Sequence, residues 1–457
     1  MDNPDQNNKL SRLVQSATLV ERHEQKSVIL SFSFVFVLMA AYYMLRPVRD
    51  ALASDWTNTE ISMLWNLQFF LSTAVVLAFG AAVSRIRFKY LVQFVYVFFA
   101  ASFLVLHFGS GLISDPLMVD KGFYLWVSLF SLFHVSIFWS FMADLYNREQ
   151  AGRLFAFIAV GASAGALVGP LIAALVVRML GSDSLVLVAS LMLLIPVPMV
   201  VYLQHLKGTA LHNQSVHADL EEFKIGGSAL EGFKDFFSSP YLIAIAGFIL
   251  LYTAIGSFAY FEQTNLLRGY ELDRRTEILA WLALTVNILT FVLGFFATSR
   301  LVTRFGMPVT LAIMPVFMCL ALLVLAFAPI LTVLLALQVA RQAGNYGVTR
   351  PAREILFTAV SRESRFKAKP VVDVAMYRGG DAIWGMSFAG LTDGLGLTLG
   401  VMGAIGAAIA ALWATVGVYL GRAFQQRSAL QEPDGSAEEA LPDSLKSLQP
   451  GSLGSSG

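Results

Sequence analysis

The residues in this chain with the most chemistry to offer are charges placed where hydrophobic runs should continue. The stretch from Val28 to Leu45 holds no charged residue and leads straight into Arg46-Pro47-Val48-Arg49-Asp50. An arginine near the centre of a bilayer costs at least ~2.5–3.5 kcal/mol on insertion scales, so such a side chain either faces a wet cavity or snorkels to the headgroups. In a cavity, a guanidinium recognises carboxylate or phosphate through paired N–H donors. Position alone leaves Arg46 and Arg49 between these two readings, and Pro47 is expected to break the helix beside them.

Other apolar runs carry ionisable groups as well. The segment from Lys369 to Trp384 contains Asp373, Tyr377, Arg378, Gly379, Gly380 and Asp381. On a helix Arg378 and Asp381 lie ~60° apart and Asp373 and Arg378 ~140° apart, so the first pair shares a face toward protein or water. A local Arg–Asp bridge is the alternative use of that pair. The two glycines let another backbone or a substrate come close, or permit a kink. Another run ends in Arg341, Asn345, Tyr346, Arg350 and Arg353. Arg341 is the deepest and reads as a cavity residue, whereas Arg350 and Arg353 suit a cytoplasmic gate or the loop charge bias. His134, Trp139 and Asp144 share one run. An imidazole titrates near neutrality and suits a proton relay, though hydrogen-bonded packing is the commoner use of a lone histidine. Asp144 followed by Arg148 and Arg153 reads as an inner-gate network. Gly161, Gly165 and Gly169 form a small-residue ladder that lets helices approach closely.

The elements that must position these groups are membrane helices. The chain has 457 residues, 56% hydrophobic and 14% charged, with a mean hydropathy of +0.66, against roughly 25% charged residues in a soluble domain. Taking ~20 apolar residues per span, we read about twelve: 28–45, 61–83, 90–112, 122–144, 154–179, 184–204, 241–262, 277–298, 307–328, 330–349, 369–391 and 396–420. The fold class is therefore an all-α polytopic membrane protein. Most of the 32 Lys and Arg residues fall in alternate loops, such as Arg85 to Lys89 and Arg362 to Lys369, which puts both termini in the cytoplasm if the membrane is a bacterial inner one. A net charge of +1 says nothing for nucleic acid, and the single cysteine, Cys319, excludes a disulfide framework or a cysteine metal site. No cleavable signal peptide is expected ahead of Val28. The aromatics are expected to be lipid-facing and interfacial anchors.

The organisation divides six plus six. Residues 1–27 form a cytoplasmic N-terminal segment, 28–204 the first six-helix half, 205–239 a cytoplasmic linker, 240–421 the second half and 422–457 a disordered polar tail. The halves echo each other: Ser84-Arg85 recurs as Ser299-Arg300 at an offset of 215, and Arg148-Glu149 as Arg362-Glu363 at 214. Tandem halves of this kind belong to transporters that rock about a midplane site, as in the major facilitator superfamily. At a similar offset, 213, the counterpart of Arg49 is Glu262. Opposite charges at one level of the first helix of each half point to a central site, with a structural ion pair as the plainer alternative.

Four segments carry a resemblance. The run Tyr42-Tyr43-Met44-Leu45-Arg46-Pro47-Val48-Arg49-Asp50 resembles the first-helix signature of the bacterial and plastid ATP/ADP translocase family; Phe138-Trp139-Ser140-Phe141 resembles its fourth-helix motif, Tyr260-Phe261-Glu262 its seventh-helix segment, and Lys369 to Gly380 its eleventh-helix stretch. The resemblance implies a major-facilitator-like fold and exchange of phosphate-bearing metabolites. Basic residues would sit on the phosphates and a glutamate would be needed for transport. Carried over, the resemblance puts Arg49, Glu262 and Arg378 in those roles; with the charged and polar groups of the apolar runs added, the expected substrate residues are Tyr43, Arg46, Arg49, Glu262, Arg341 and Arg378, and the expected coupling or gating residues are Asp50, His134, Asp144, Arg350, Asp373 and Asp381. Where that family is expected to carry lysine, this chain has Arg49 and Arg378, which still bind phosphate.

The chain thus reads as an alternating-access carrier of small anions, nucleotides first, embedded in a bilayer and acting as a monomer. A proton-coupled exporter titrating Glu262 or His134 is one alternative, and a non-transporting sensor or scaffold another. No Walker loop, His/Glu metal motif or nucleophile elbow is present, so catalysis, metals and cofactors are not expected.

Overall fold

The computed structural model describes residues 20–83, 88–109, 111, 113–209, 211, 239–296, 298–360 and 376–431. Within these, apolar runs too long for a soluble core form twelve helices. They are α1 (Gln25–Leu52), α2 (Asn58–Val83), α3 (Phe88–Gly109), α4 (Pro116–Leu145), α5 (Arg148–Leu180), α6 (Ser182–Thr209), α7 (Pro240–Leu267), α8 (Leu272–Phe296), α9 (Thr298–Phe327), α10 (Leu331–Gly344), α11 (Tyr377–Ala389) and α12 (Leu399–Gln431). Nine helices are long and apolar enough to cross a membrane among the described residues.

Local chemistry sets the ends. Asp115 and Ser239 accept a hydrogen bond from the first turns of α4 and α7, each followed by proline, whose missing N–H costs nothing there. A capping box of Asn147 and Gln150 starts α5. Gly306 takes φ +75° and bends α9 ahead of Pro308. Beyond Gly344, α10 continues through a π turn, Asn345–Thr349, into Arg350–Leu356. Pro351 has no N–H to offer the preceding turn, and the wider register absorbs the gap. A second π turn, Gly390–Gly394, closes α11.

The helix expected to stop near Leu45 does not. It runs unbroken through Pro47 to Leu52, so Arg46 and Arg49 are helix-interior residues rather than part of an outer loop. In lipid a helix is the only way to satisfy the surrounding backbone, and one freed carbonyl costs less than unwinding.

Burial gathers in two main clusters. One is built mainly from the first six helices around Phe34, Phe138 and Phe141; the other lies within the last six around Phe248, Leu322 and Trp413. The glycine ladder acts as expected. A Cβ on Gly161, Gly165 or Gly169 would collide with the carbonyl oxygens of Phe32, Phe36 or Ala40, so α1 and α5 lie backbone to backbone. A Cβ on Gly380 would collide with the Thr253 side chain, so this glycine seats α11 on α7.

We call the end holding the start of α1 and the end of α12 the termini face, and the opposite end the loop face. Asp393 accepts hydrogen bonds at 2.8 Å from both the backbone N–H and the hydroxyl of Thr59, and one at 3.0 Å from Asn58. The N-terminus of α2 is thereby capped by a side chain from the other six-helix set. Arg268 donates to the carbonyls of Ser54 and Trp56, while Arg275 reaches the Asp55 carboxylate at 2.6 Å. These ties clasp the two sets together at the loop face. Asn58 and Asp393, Arg268 and Arg275 carried no signal in the sequence, because each lies at or close to a helix end and its partner is some 210 to 335 residues away.

The expected linker from 205 to 239 falls largely outside the described residues, as does the tail beyond Gln431.

Candidate substrate-binding cavity

Charges carried on α1, α10 and α11 meet in a cavity of about 300 Å3 between the two sets, lined by Arg49, Arg341, Arg378 and Asp381. Its wall is aromatic: Trp65, Phe69, Tyr124, Tyr252, Tyr260, Tyr346 and Tyr377. The expectation that aromatics face lipid or the interface therefore fails here. Tyrosines at mid-helix need partners for their hydroxyls, and they find them inside. Trp65 donates to the Tyr124 hydroxyl at 2.7 Å, and the Tyr124 and Tyr260 hydroxyls sit 3.2 Å apart across the two sets. The π turn of α10 carries Tyr346 into the same wall.

A smaller chamber of about 90 Å3 shares Arg49, Tyr260 and Arg341 with the first and adds Arg46, Asp50, Gln263, Gln338 and Gln342. Asp50 is the hub of its first-set side. Arg49 donates to it through Nε at 2.9 Å and Nη2 at 2.7 Å, and Arg46 Nε approaches it at 3.7 Å. Arg49 also reaches Ser128 and lies over the Tyr124 ring, 5.4 Å from its centroid. Arg46 extends across to Gln342 of α10 at 3.4 Å.

Arg341 is held differently. Its Nε and Nη2 donate to Gln338 Oε1 at 3.0 and 2.9 Å and its Nη1 to the Tyr252 hydroxyl at 3.4 Å, while Gln338 is itself fixed by donating to Gln263 and to the Ala259 carbonyl. Neutral oxygens orient this guanidinium without neutralising it. Arg378 forms no hydrogen bond or ion pair among the described residues, and the alternative Arg378–Asp381 bridge is not made; both side chains open onto the cavity, where Asp381 feels the fields of Arg378 and Arg341. Among the described residues neither Arg341 nor Arg378 has a carboxylate bonded to it, an arrangement suited to an anion.

Other expected site residues lie elsewhere. Glu262 is 1% exposed, lines neither chamber, and has no hydrogen-bond partner for either carboxyl oxygen. It forms no pair with Arg49. The reason is the face it occupies: α7 gives Tyr260 and Gln263 to the chambers, and Glu262 stands ~200° and ~100° around the helix from them. Tyr43 packs on Tyr42 beneath Arg46 and is not on either chamber wall. His134 is buried between Tyr42 and Phe130 with Nδ1 on the Phe130 carbonyl, and it lines neither chamber. Asp144 pairs with Lys207 of α6 at 3.0 Å, and Arg153 pairs with Glu24, the residue ahead of α1, at 3.0 Å. Arg350 is exposed beyond the π turn and away from both chambers. Asp373 lies outside the described residues.

A family model described as Major Facilitator Superfamily matches residues 31–363. No curated protein matches the chain. Among solved structures, the chain is similar to a bacterial homolog of the human lysosomal transporter Spinster in an inward-facing state, at 14% identity and TM-score 0.57 over 89% of this chain and 99% of that one. It is similar also to a bacterial homologue of the iron transporter ferroportin, inward-facing, at 13% identity and TM-score 0.59 over 88% and 98%. The nucleoside transporter NupG follows at 15% identity and TM-score 0.54 over 89% and 99%. At these identities the likeness is one of fold.

Proposed function

Because the chain belongs to the Major Facilitator Superfamily, we propose that its central cavity carries a small organic anion, a phosphate-bearing metabolite, by alternating access. The chain is a multi-pass membrane transporter rather than an enzyme. The observation that carries the substrate reading is Arg341 and Arg378 facing one cavity without a carboxylate bonded to either. A nucleotide suits both sides of that cavity, with phosphates for the guanidiniums and a planar ring for the tyrosines and Trp65. The resemblance to ATP/ADP translocases points the same way, toward exchange of one such anion for another.

The ties that clasp the two sets at the loop face support an inward-facing state. With the termini in the cytoplasm of a bacterial inner membrane, the cavity would load from inside.

The test is counterflow in liposomes loaded with unlabelled nucleotide or organic phosphate. Labelled anion should enter without a pH gradient, and Arg378→Ala or Arg341→Ala should abolish entry while the protein still elutes as a folded species. Uptake by both variants at the wild-type rate would remove the cavity from the substrate path. A second reading, proton-coupled transport, is favoured by the buried and unpartnered Glu262. Strict dependence on a pH gradient would select that reading.

A further inference from the structure

The charges lining the two chambers do not balance, and the size of the imbalance specifies the ligand. Among the described residues the charged liners are Arg46, Arg49, Arg341 and Arg378 against Asp50 and Asp381. Four guanidiniums and two carboxylates leave two positive charges. Asp50 serves Arg46 and Arg49 together, so one surplus charge belongs to that cluster and the other to the Arg341, Arg378 and Asp381 group.

We infer that the preferred ligand is a compact dianion, a phosphomonoester bearing a planar ring, in preference to a di- or triphosphate, and that Asp50 and Asp381 set this limit. The inference rests on the reading of the cavity as an anion site.

Charge left over in a poorly hydrated cavity is expensive in either direction, so the bound complex is most stable near neutrality. A phosphomonoester brings about two negative charges at neutral pH and cancels the surplus. Each additional phosphate adds roughly one more negative charge, which would then face the Asp381 and Asp50 carboxylates with no cation left to meet it. The placement of the liners argues the same way. The small chamber is bounded by Arg46, Arg49 and Arg341, with Asp50, the Tyr260 hydroxyl and the amides of Gln263, Gln338 and Gln342 as its other polar liners. The larger cavity shares Arg49, Tyr260 and Arg341 with it and supplies the aromatic wall. One charged head and one flat body therefore fit the two compartments.

The experiment is a thermal-shift and calorimetric titration of the purified full-length protein with phenyl phosphate, adenosine monophosphate, adenosine triphosphate and inorganic phosphate, without divalent metal. The two monoesters should bind at least tenfold tighter than the triphosphate, and inorganic phosphate more weakly than either monoester. Asp381→Asn removes one repelling carboxylate without changing shape and should raise triphosphate affinity relative to monoester by at least tenfold. Asp50→Asn, a second variant at the other cluster, should move the ratio in the same direction. Arg378→Gln should shift preference the opposite way, toward a monoanion such as benzoate. Equal or tighter binding of triphosphate by the unmodified protein, or ratios that both Asp variants leave unchanged, would overturn the dianion limit while leaving the anion site standing. Absence of binding by all four probes would instead overturn the anion site itself.

Discussion

Replacing Asp393 by alanine should open the loop face. In the structure this carboxylate accepts two hydrogen bonds from Thr59 and one from Asn58, and so caps α2 from the opposite six-helix set. The same bonds hold Asp393 below the ordinary carboxylate range, in spite of the burial that would raise it. Loss of a helix N-cap costs about 0.5–2 kcal/mol. The carboxylate is exposed and screened, so we take about 0.5–1 kcal/mol for the whole contact. Because the contact exists only while the sets are closed at this face, the loss falls on that state alone and shifts the equilibrium about two- to fivefold toward the loop-open state. Spin labels on cysteines at Met118 and Leu395, which are 68% and 72% exposed on opposite sets, with Cys319 replaced by serine, would report the change as a growing long-distance component. The sign with pH follows from the depressed pKa. The clasp is fully present above the carboxylate's unfolded value of about 3.9 and fades only as pH falls through the lower folded value, so distances in the unmodified protein should not change between about pH 5 and 8. An unchanged distance distribution in a folded Asp393→Ala protein would refute the assignment of this contact as a closing tie.

Two further predictions concern residues inside the bundle. Gly165→Leu has no room against Phe36 and Met39, and overpacking of this kind costs about 1–3 kcal/mol; a melting temperature several degrees lower is expected, while Gly152→Leu, where a side chain meets nothing, should leave it unchanged. Glu262→Gln preserves shape and neutrality, so the protein should melt as before, yet any transport step that needs this carboxyl to ionise should stop. Gradient-driven uptake at the original rate by that variant would remove Glu262 from coupling.

Hydropathy is legible along a chain because every residue of a membrane helix reports its own environment, and twelve spans emerge from it. What hydropathy does not report is the face a side chain takes. The offset linking Arg49 to Glu262 finds the right helix, yet Glu262 stands ~100° around it from Gln263 and ~200° from Tyr260, the residues that reach the chambers. Pro47 misled for a related reason: its helix-breaking habit is learned in water, where an unwound backbone finds partners, and lipid offers none. Arg49, Arg341 and Arg378 were recognisable as charges in apolar runs, and all three line the cavity. The tyrosines around them were not, since a mid-helix tyrosine and an interfacial one look alike until neighbouring helices are placed. Asp393 and Arg275 were silent because clasping depends on partners brought together only by the completed fold.

The glycine ladder has a mechanical consequence. Backbone contact at Gly161, Gly165 and Gly169 leaves no compressible side-chain layer between α1 and α5, so the two helices behave as a single stiff beam. At 1.5 Å per residue, the 28 residues of α1 make an arm of about 42 Å. A tilt of only ~10° about the clasped end would sweep the far end of such an arm through ~7 Å, with the arginine cluster close to the fulcrum displaced far less. Leverage of this kind lets a gate travel widely while the charges that grip the cargo stay nearly still.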